Sequence, residues 1–412
     1  MNRPATSWEE ILSRIGRPDI HPLSVSLPVT DINADLCPDD VVHTVHHFFT
    51  HLRCGIYVHV RDGAVHTFLP FYNPEYTNTW GVNLTFEGHE TAAAYHAAKP
   101  PPVQKYLPVH QWWANAGIVC NLLDYRNMWS VPNSDAYLSM LRAAAPGIKN
   151  AHFMLNVRDC PQLRRDGTHP QPFLFTAASP LLHTRALPVL SGYTGPEYAD
   201  IPIPLPNDVA VIRFTPWASR HARAVFRGSA TGCGNTVSTN QRIALVALSR
   251  SAPTVLDAKL TSWSHRDKVA GGRVHRTHPL PDMQASRTFF LSPQAQTRFK
   301  YTVYVDGHSA SNRFACLLAM HSCILRVASP ANLPGSELWF YHMLKPWVHY
   351  VPVAADLSDL LTQLHWLCAH DAIAERIARN GWVFWHTRLR RDGAVRAMSD
   401  ALHHVQTLTS WC

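Results

Sequence analysis

Charge is scarce along this chain. Only 16% of its 412 residues are Asp, Glu, Lys or Arg, and no long run of like charge occurs. That excludes a polyelectrolyte tail or a basic arm of the kind that tracks a phosphate backbone. Long apolar runs are missing as well. With no uninterrupted stretch of about 18 apolar residues, no membrane-spanning helix is expected. The nine cysteines are odd in number, widely spaced and include no CxxC pair. This excludes a disulfide framework and points to free thiols in a reducing compartment. The opening residues, MNRPATSWEEILSRIG, hold no apolar core of a secretion signal. The sequon Asn83-Leu84-Thr85 is therefore read as chance. No internal repeat or low-complexity segment stands out.

What is present is enough for real cores. Hydrophobic residues make up 46% and aromatics 10%. The length suits two domains of about 150–200 residues each. Net charge is +8 and the isoelectric point near 9.1, with the basic residues scattered. A basic cleft for a phosphorylated small molecule accounts for this at least as well as nucleic acid does. The 26 histidines make the charge sensitive to mild acid.

Residues 8–15 are expected to form a short helix. Pro38–Leu52 is amphipathic, with Val41, Val42, Val45, Phe48, Phe49 and Leu52 on its apolar face. His43, His47 and His51 fall on another stripe. Without an acidic or cysteine partner at helical spacing, a polar face is preferred there to a metal site. Gly55–Phe71 reads as a hairpin turning at Arg61-Asp62-Gly63. Lys99-Pro100-Pro101-Pro102 is a breaker, and Trp112 and Trp113 are read as core. A helix over 136–144 and strands over His152–Val157 and Phe173–Thr176 precede the proline-rich passage Ile201–Asp208, which cannot be a regular helix. Strands and helices then alternate. Val225–Ser229 is followed by a helix over Gln241–Arg250, a strand over Thr254–Asp257 and the strand Tyr301–Val305 with its helix. Next come a strand over Cys323–Val327, a helix over Glu337–Leu344 and a strand over Trp347–Val353. A helix opened by Asp356 as N-cap, another over Asp371–Arg379 stopping at Gly381, and a mostly helical tail over Val383–Leu408 complete the chain. This rhythm predicts a parallel, doubly wound sheet in the second half.

Three segments carry unusual residues. Asn156–Gln162 (NVRDCPQ) puts an acid at the end of a predicted strand, where open α/β sheets place reactive groups. Asp159 is there either as a general base or as the centre of an Asx-turn or an ion pair with Arg158. Phe226–Gly234 (FRGSATGCG), ending in Asn240-Gln241-Arg242, is rich in small residues that let backbone N–H groups approach phosphate. Arg242, at a helix start, can fork onto a phosphate. The alternative is a flexible surface loop, and the missing GK[ST] ending excludes a Walker loop. Lys300–Arg313 (KYTVYVDGHSASNR) holds a strand, a break at Asp306-Gly307-His308, and N-cap candidates Ser309–Asn312 before Phe314, Leu317 and Leu318. A helix start after a small-residue loop, with Arg313 adding a full charge, suits a diphosphate; the alternative is an ordinary crossover. No DxD triplet occurs. Arginines and helix ends would then neutralise a diphosphate without a metal.

These segments together resemble glycosyltransferase family 90, the CAP10-like group that includes protein O-glucosyltransferases and fungal capsule xylosyltransferases. The resemblance rests on NVRDCPQ, DIPIPLPND (200–208), FRGSATGCG with Arg242, and KYTVYVDGHSASNR. It continues through ELWFYHMLKPWVHYVPV (337–353), DLSDLL (356–361) and HDAIAERIARNG (370–381), and covers about 150 to 390. The first 140 residues resemble the leader region of such proteins from large DNA viruses. What the resemblance implies is an α/β fold of GT-B architecture, two Rossmann-like domains facing across a cleft. Residues 1–218 would take the acceptor side, with 1–140 a divergent leader; 219–385 would bind the nucleotide sugar, and 386–412 would be a helical tail.

The family further implies inverting transfer of glucose or xylose from a UDP-sugar to a hydroxyl of a glycan or protein acceptor, with no metal or other cofactor. By position, Asp159 is its catalytic aspartate, and Ser229 and Arg242 contact the diphosphate. Gly307, His308, Ser309, Ala310, Ser311 and Arg313 fall on the rest of its nucleotide site, and Glu337 is placed to reach the ribose hydroxyls. Secretory members carry a signal and a KDEL-like tail, whereas this chain ends LTSWC, so a cytoplasmic location is expected. Two rival classes remain: a catalytically silent, lectin-like protein of the same fold, and a basic nucleic-acid binder.

Overall fold

The computed structural model describes residues 38–48, 54–72, 132–159, 161–163, 186–196, 198–206, 211–232, 236–263, 268–270, 273–275, 282–329 and 337–409, with a few isolated positions besides. The expected helix over 8–15, the Asn83 sequon, the breaker at Lys99, Trp112, Trp113, and the strand Phe173–Thr176 lie outside them. The chain forms two compact units. Described residues up to Pro206, with those from Ala394 onward, belong to the first; those from Val211 to Gly393 belong to the second.

In the first unit, helix α1 (Pro38–His47) leads to strands β1 (Cys54–Arg61) and β2 (Ala64–Tyr72). These two form the expected hairpin. Asp62 and Gly63 both take positive φ, 49° and 78°, as a two-residue turn matched to strand twist requires. Helix α2 (Pro132–Ala144), β3 (Asn150–Asn156), β4 (Val189–Ser191) and β5 (Ile201–Pro202) follow. The sheet order is β2-β1-β3-β4-β5. β1 runs antiparallel to β2 and β3, whereas β3, β4 and β5 run parallel. The sheet is therefore mixed, because a tight hairpin can only join antiparallel neighbours. Pro202 sits on an edge strand, where its missing N–H costs no ladder bond. The polar-face reading of α1 fails at His47, which is only 4% exposed. It shares a face with Thr44, three residues earlier, and Thr44 Oγ1 accepts from the Leu187 amide at 2.9 Å.

The second unit holds β6 (His221–Ser229), α3 (Gln241–Ser251), β7 (Leu256–Ser262), β8 (Phe299–Tyr304), α4 (Arg313–Ala319), β9 (Cys323–Val327) and β10 (Val351–Val353). Helices α5 (Leu360–Ala369), α6 (Asp371–Phe384) and α7 (Arg391–Leu408) follow, α7 passing into the first unit at Ala394. All five strands are parallel, in the order β7-β6-β8-β9-β10. The strand sequence thus reverses between β6 and β8, which makes a topological switch point. Phe226, Tyr301, Val303, Leu325 and Val351 pack with Leu245, Leu360, Leu364 and Ile377 in one core. Helices on the faces bury the strands, which is why these strands read as nearly unbroken apolar runs.

Three expected elements differ here. Glu337–Leu344 is not a helix: Glu337–Leu338 is extended and Tyr341–Met343 is a single 3₁₀ turn. Trp339, Phe340 and Tyr341 are all at most 6% exposed, and consecutive residues on a regular helix cannot all face one core. Asp356 does not cap α5. It accepts from the Ser358 amide at 3.0 Å, and Leu357 takes φ 64°, so the helix starts only at Leu360. Gly381 does not stop α6. A Cβ there would lie 3.0 Å from Leu318 Cδ2 and 3.1 Å from the His349 carbonyl, so the glycine serves close packing.

Candidate functional site

β6 and β8 are parallel neighbours, so the loops leaving their carboxyl ends emerge side by side at the switch point, where open α/β sheets bind ligands. Arg242 joins them. Asn240 caps α3, accepting from the amides of Arg242 and Ile243 at 2.9 and 3.2 Å, which sets the Arg242 side chain at the helix start. Its Nε donates to the Asp306 carbonyl (2.8 Å), Nη2 to the Val305 carbonyl (2.9 Å), and Nη1 to the Ser229 carbonyl (3.1 Å) and Thr231 Oγ1 (2.6 Å). Burial, and the Arg313 charge nearby, push its guanidinium down to about 10, so it stays charged at neutral pH. The expected fork onto a phosphate is thus largely committed to the protein: the carbonyls of both loops hold the guanidinium, which acts as a fixed charge under them. Gly307 is needed beside it, since a Cβ would lie 3.0 Å from Thr231 Oγ1 and 3.2 Å from Arg242 Nη2.

Asp306 decides the shape of the second loop. Its carboxylate accepts from Tyr304 Oη at 2.7 Å, from the Ser311 amide at 3.3 Å and from Ser329 Oγ. Tyr304 Oη also accepts from the Ser311 amide at 2.8 Å, and Tyr341 donates to Tyr304. The Gly307 amide turns to the Ser309 carbonyl at 2.9 Å. The helix expected to follow Ser309–Asn312 is present. α4 begins at Arg313 with Asn312 at its N-cap position, although the Asn312 side chain makes no capping bond and the helix is only seven residues long. The chain's own carboxylate occupies the Ser311 amide.

The other expected residues are placed as follows. Ser229 Oγ accepts from Ser262 Oγ at 2.7 Å, which leaves its own proton to donate. His308 and Ser309 are buried, and His308 Nδ1 lies 3.2 Å from the Gly232 carbonyl oxygen. Ala310 is in the core. Arg313 Nη1 donates to the Arg227 carbonyl, and burial lowers the Arg313 pKa. Glu337 stands in the extended pair before the Tyr341 turn; burial, then the Asp306 charge, with Glu337 contributing least, raise the Tyr341 hydroxyl pKa.

In the first unit, Asp159 follows β3 by three residues, at the end that pairs in parallel with β4. Asn156 precedes it in a buried network: Nδ2 donates to Ser191 Oγ at 2.6 Å, and Oδ1 accepts from the Arg158 amide at 2.9 Å. On its other side, Asp200 accepts from the amides of Gln162 (2.9 Å) and Leu163 (2.6 Å). Asp200 is 4% exposed, and burial pushes its carboxyl up to about 7, against the downward pull of those amides and the Ser191 hydroxyl. Sequence reasoning assigned no role to Asp200, Asp306, Thr231 or Tyr341. The signal for Asp200 was a lone acid ahead of the apolar run IPIPLP.

Among the described residues no group of three or more His, Cys, Asp or Glu side chains is placed to hold a metal ion. Among them, too, no helix is long and apolar enough to cross a membrane.

A switch-point loop pair over a buried arginine, in a parallel sheet, is an arrangement suited to phosphorylated ligands. Residues 124–409 match the family described as Glycosyl transferase family 90, and the chain belongs to it. It is similar to Uncharacterized protein 035R of Invertebrate iridescent virus 3, 32% identical over 89% of this chain and 36% of that protein. It is also similar to Uncharacterized protein 027R of Frog virus 3, 30% identical over 85% of this chain and 40% of that protein. Against Protein O-glucosyltransferase 1 of Rattus norvegicus the identity is 32%, over 43% of this chain and 40% of that protein. The chain thus spans well under half the length of the viral relatives it matches. These relatives and the family match agree with the resemblance read from the sequence motifs, and they make the chain a glycosyltransferase-family protein with viral relatives.

Proposed function

We propose that this chain is an inverting, metal-independent glycosyltransferase of GT-B architecture. It moves glucose or xylose from a UDP-sugar to a hydroxyl of a glycan or protein acceptor. The observation that carries the reading is the pair of switch-point loops clamped on Arg242, in a chain of the glycosyltransferase family. In the proposed reaction, Asp159 takes the proton of the acceptor hydroxyl as that oxygen bonds to C1 of the sugar. The bond from C1 to the β-phosphate oxygen breaks on the opposite face, its electron pair leaves with UDP, and the anomeric configuration inverts. Arg242 and Arg313 supply positive charge to the departing diphosphate, and Ser229 donates to it.

The test is UDP release from a panel of UDP-sugars, with and without EDTA, in the native chain and in Asp159→Asn. Release from one donor that resists EDTA and falls about 10²–10⁴-fold in the variant is expected, the usual worth of a general base. Release that collapses in EDTA contradicts the metal-free reading. UDP binding without release from any donor, acceptor present, would favour the silent, lectin-like protein.

A further inference from the structure

The passage DIPIPLPND has no part in the chemistry above, yet it contributes a buried carboxylate to the segment that carries Asp159. Asp200 receives the amides of Gln162 and Leu163, the third and fourth residues after Asp159, at 2.9 and 2.6 Å. The strand-like contact is completed by the Ala199 amide, which donates to the Leu163 carbonyl at 2.6 Å. On the amino-terminal side Asn156 fixes the Arg158 amide at 2.9 Å and reaches Ser191 Oγ at 2.6 Å. Asn156, held by Ser191, and Asp200 are all buried, and they grip the backbone on the two sides of Asp159.

From this bracket we infer that Asp200 is a positioning residue: its carboxylate fixes the backbone after Asp159, while Asn156, held by Ser191, fixes the backbone before it. The inference rests on Asp159 being the proposed base. A carboxylate fits this task because each of its oxygens accepts one amide, whereas an asparagine can satisfy only one and turns an N–H toward the other. Burial in a low-dielectric setting strengthens both bonds and makes an unmatched amide costly. A general base must stay within hydrogen-bond reach of the proton it removes, and a displacement of about 1 Å can cost about 10²-fold in rate.

The experiment compares the native chain with Asp200→Asn and the milder Ser191→Ala. Turnover and donor KM are measured on the UDP-sugar that the native chain uses, alongside hydrogen exchange of the segment 161–163. The expected result is a kcat about 10–100-fold lower in Asp200→Asn, a smaller drop in Ser191→Ala, unchanged donor KM and faster exchange at Gln162 and Leu163. Should Asp200→Asn fail to fold, Ser191→Ala carries the same readouts. Unchanged kcat in the folded variants, or donor KM rising in step with a lowered kcat, overturns the positioning role. Absence of turnover in the native chain counts against the enzyme reading alone. The exchange arm then still decides whether Asp200 holds the segment, and unchanged exchange refutes it.

Discussion

The two units hold their buried charges by opposite means. In the second, Arg242 is surrounded by the carbonyls of Ser229, Val305 and Asp306. In the first, Asp200 is surrounded by the amides of Gln162 and Leu163 and by the Ser191 hydroxyl. Both are charges matched by backbone dipoles in place of counter-ions, and both pay desolvation. The outcome differs because the starting points differ. The Arg242 guanidinium is lowered to about 10 and remains charged at neutral pH. Aspartate rises from 3.8 to about 7 and sits at its own titration point. A buried arginine is thus a permanent charge suited to an anion site, while a buried aspartate is a grip whose strength depends on pH.

The comparison can be broken most directly at Asp200. Its folded-state pKa is raised, so the folded chain binds the proton more tightly than the unfolded one. The stability this confers is complete below about pH 4 and is lost as pH rises toward about 7. Relative to the native chain, Asp200→Asn should therefore gain on going from pH 4 to pH 8, by at most about 4 kcal/mol. Denaturant midpoints at both pH values measure it, and a difference that does not vary with pH contradicts the assigned titration.

Arg242→Lys sharpens the other side. Lysine keeps the charge but cannot reach all four acceptors, so carbonyls of both loops lose a donor. A loss of about 2–4 kcal/mol, with little dependence on pH between 5 and 8, is expected from chemical unfolding. The smallest effect concerns His152, stacked on His59 with ring centroids 3.9 Å apart. Burial, then His59 and His66, hold His152 down at about 4. Its folded pKa is depressed, so the contribution it makes above about pH 6.5 is lost as pH falls toward 4, opposite in sign to Asp200. His152→Phe should flatten that acid loss, read as a smaller drop in midpoint between pH 7 and pH 4.5.

Legibility in the sequence followed burial. Tyr301–Val305 and Cys323–Val327 read as strands because both faces are covered and every position but Thr302 and Arg326 is apolar or aromatic. The hairpin at Asp62-Gly63 was legible because only a few residues accept its turn. The two loops at the switch point were legible from their small residues. Their internal wiring was not: nothing local distinguishes Asp306 as the carboxylate that takes the Ser311 amide, or Arg242 as a strap between strands. Glu337–Leu344 misled because its composition suits a helix, while the buried run Trp339–Tyr341 demands contact on several sides at once. Asp200 stood out only as a lone acid before IPIPLP, and its role was not legible because its partners, Gln162 and Leu163, lie far away in the chain.

The central proposal is a division of labour, in which Asp159 would perform the proton transfer and the loops around Arg242 and Arg313 would hold UDP. Calorimetric titration of UDP onto Asp159→Asn and Arg313→Ala tests it most directly. The account predicts an unchanged Kd for Asp159→Asn and a Kd raised about 10–100-fold for Arg313→Ala, the worth of a charge-assisted hydrogen bond. An unchanged Kd in Arg313→Ala, or a comparable loss in Asp159→Asn, would contradict it.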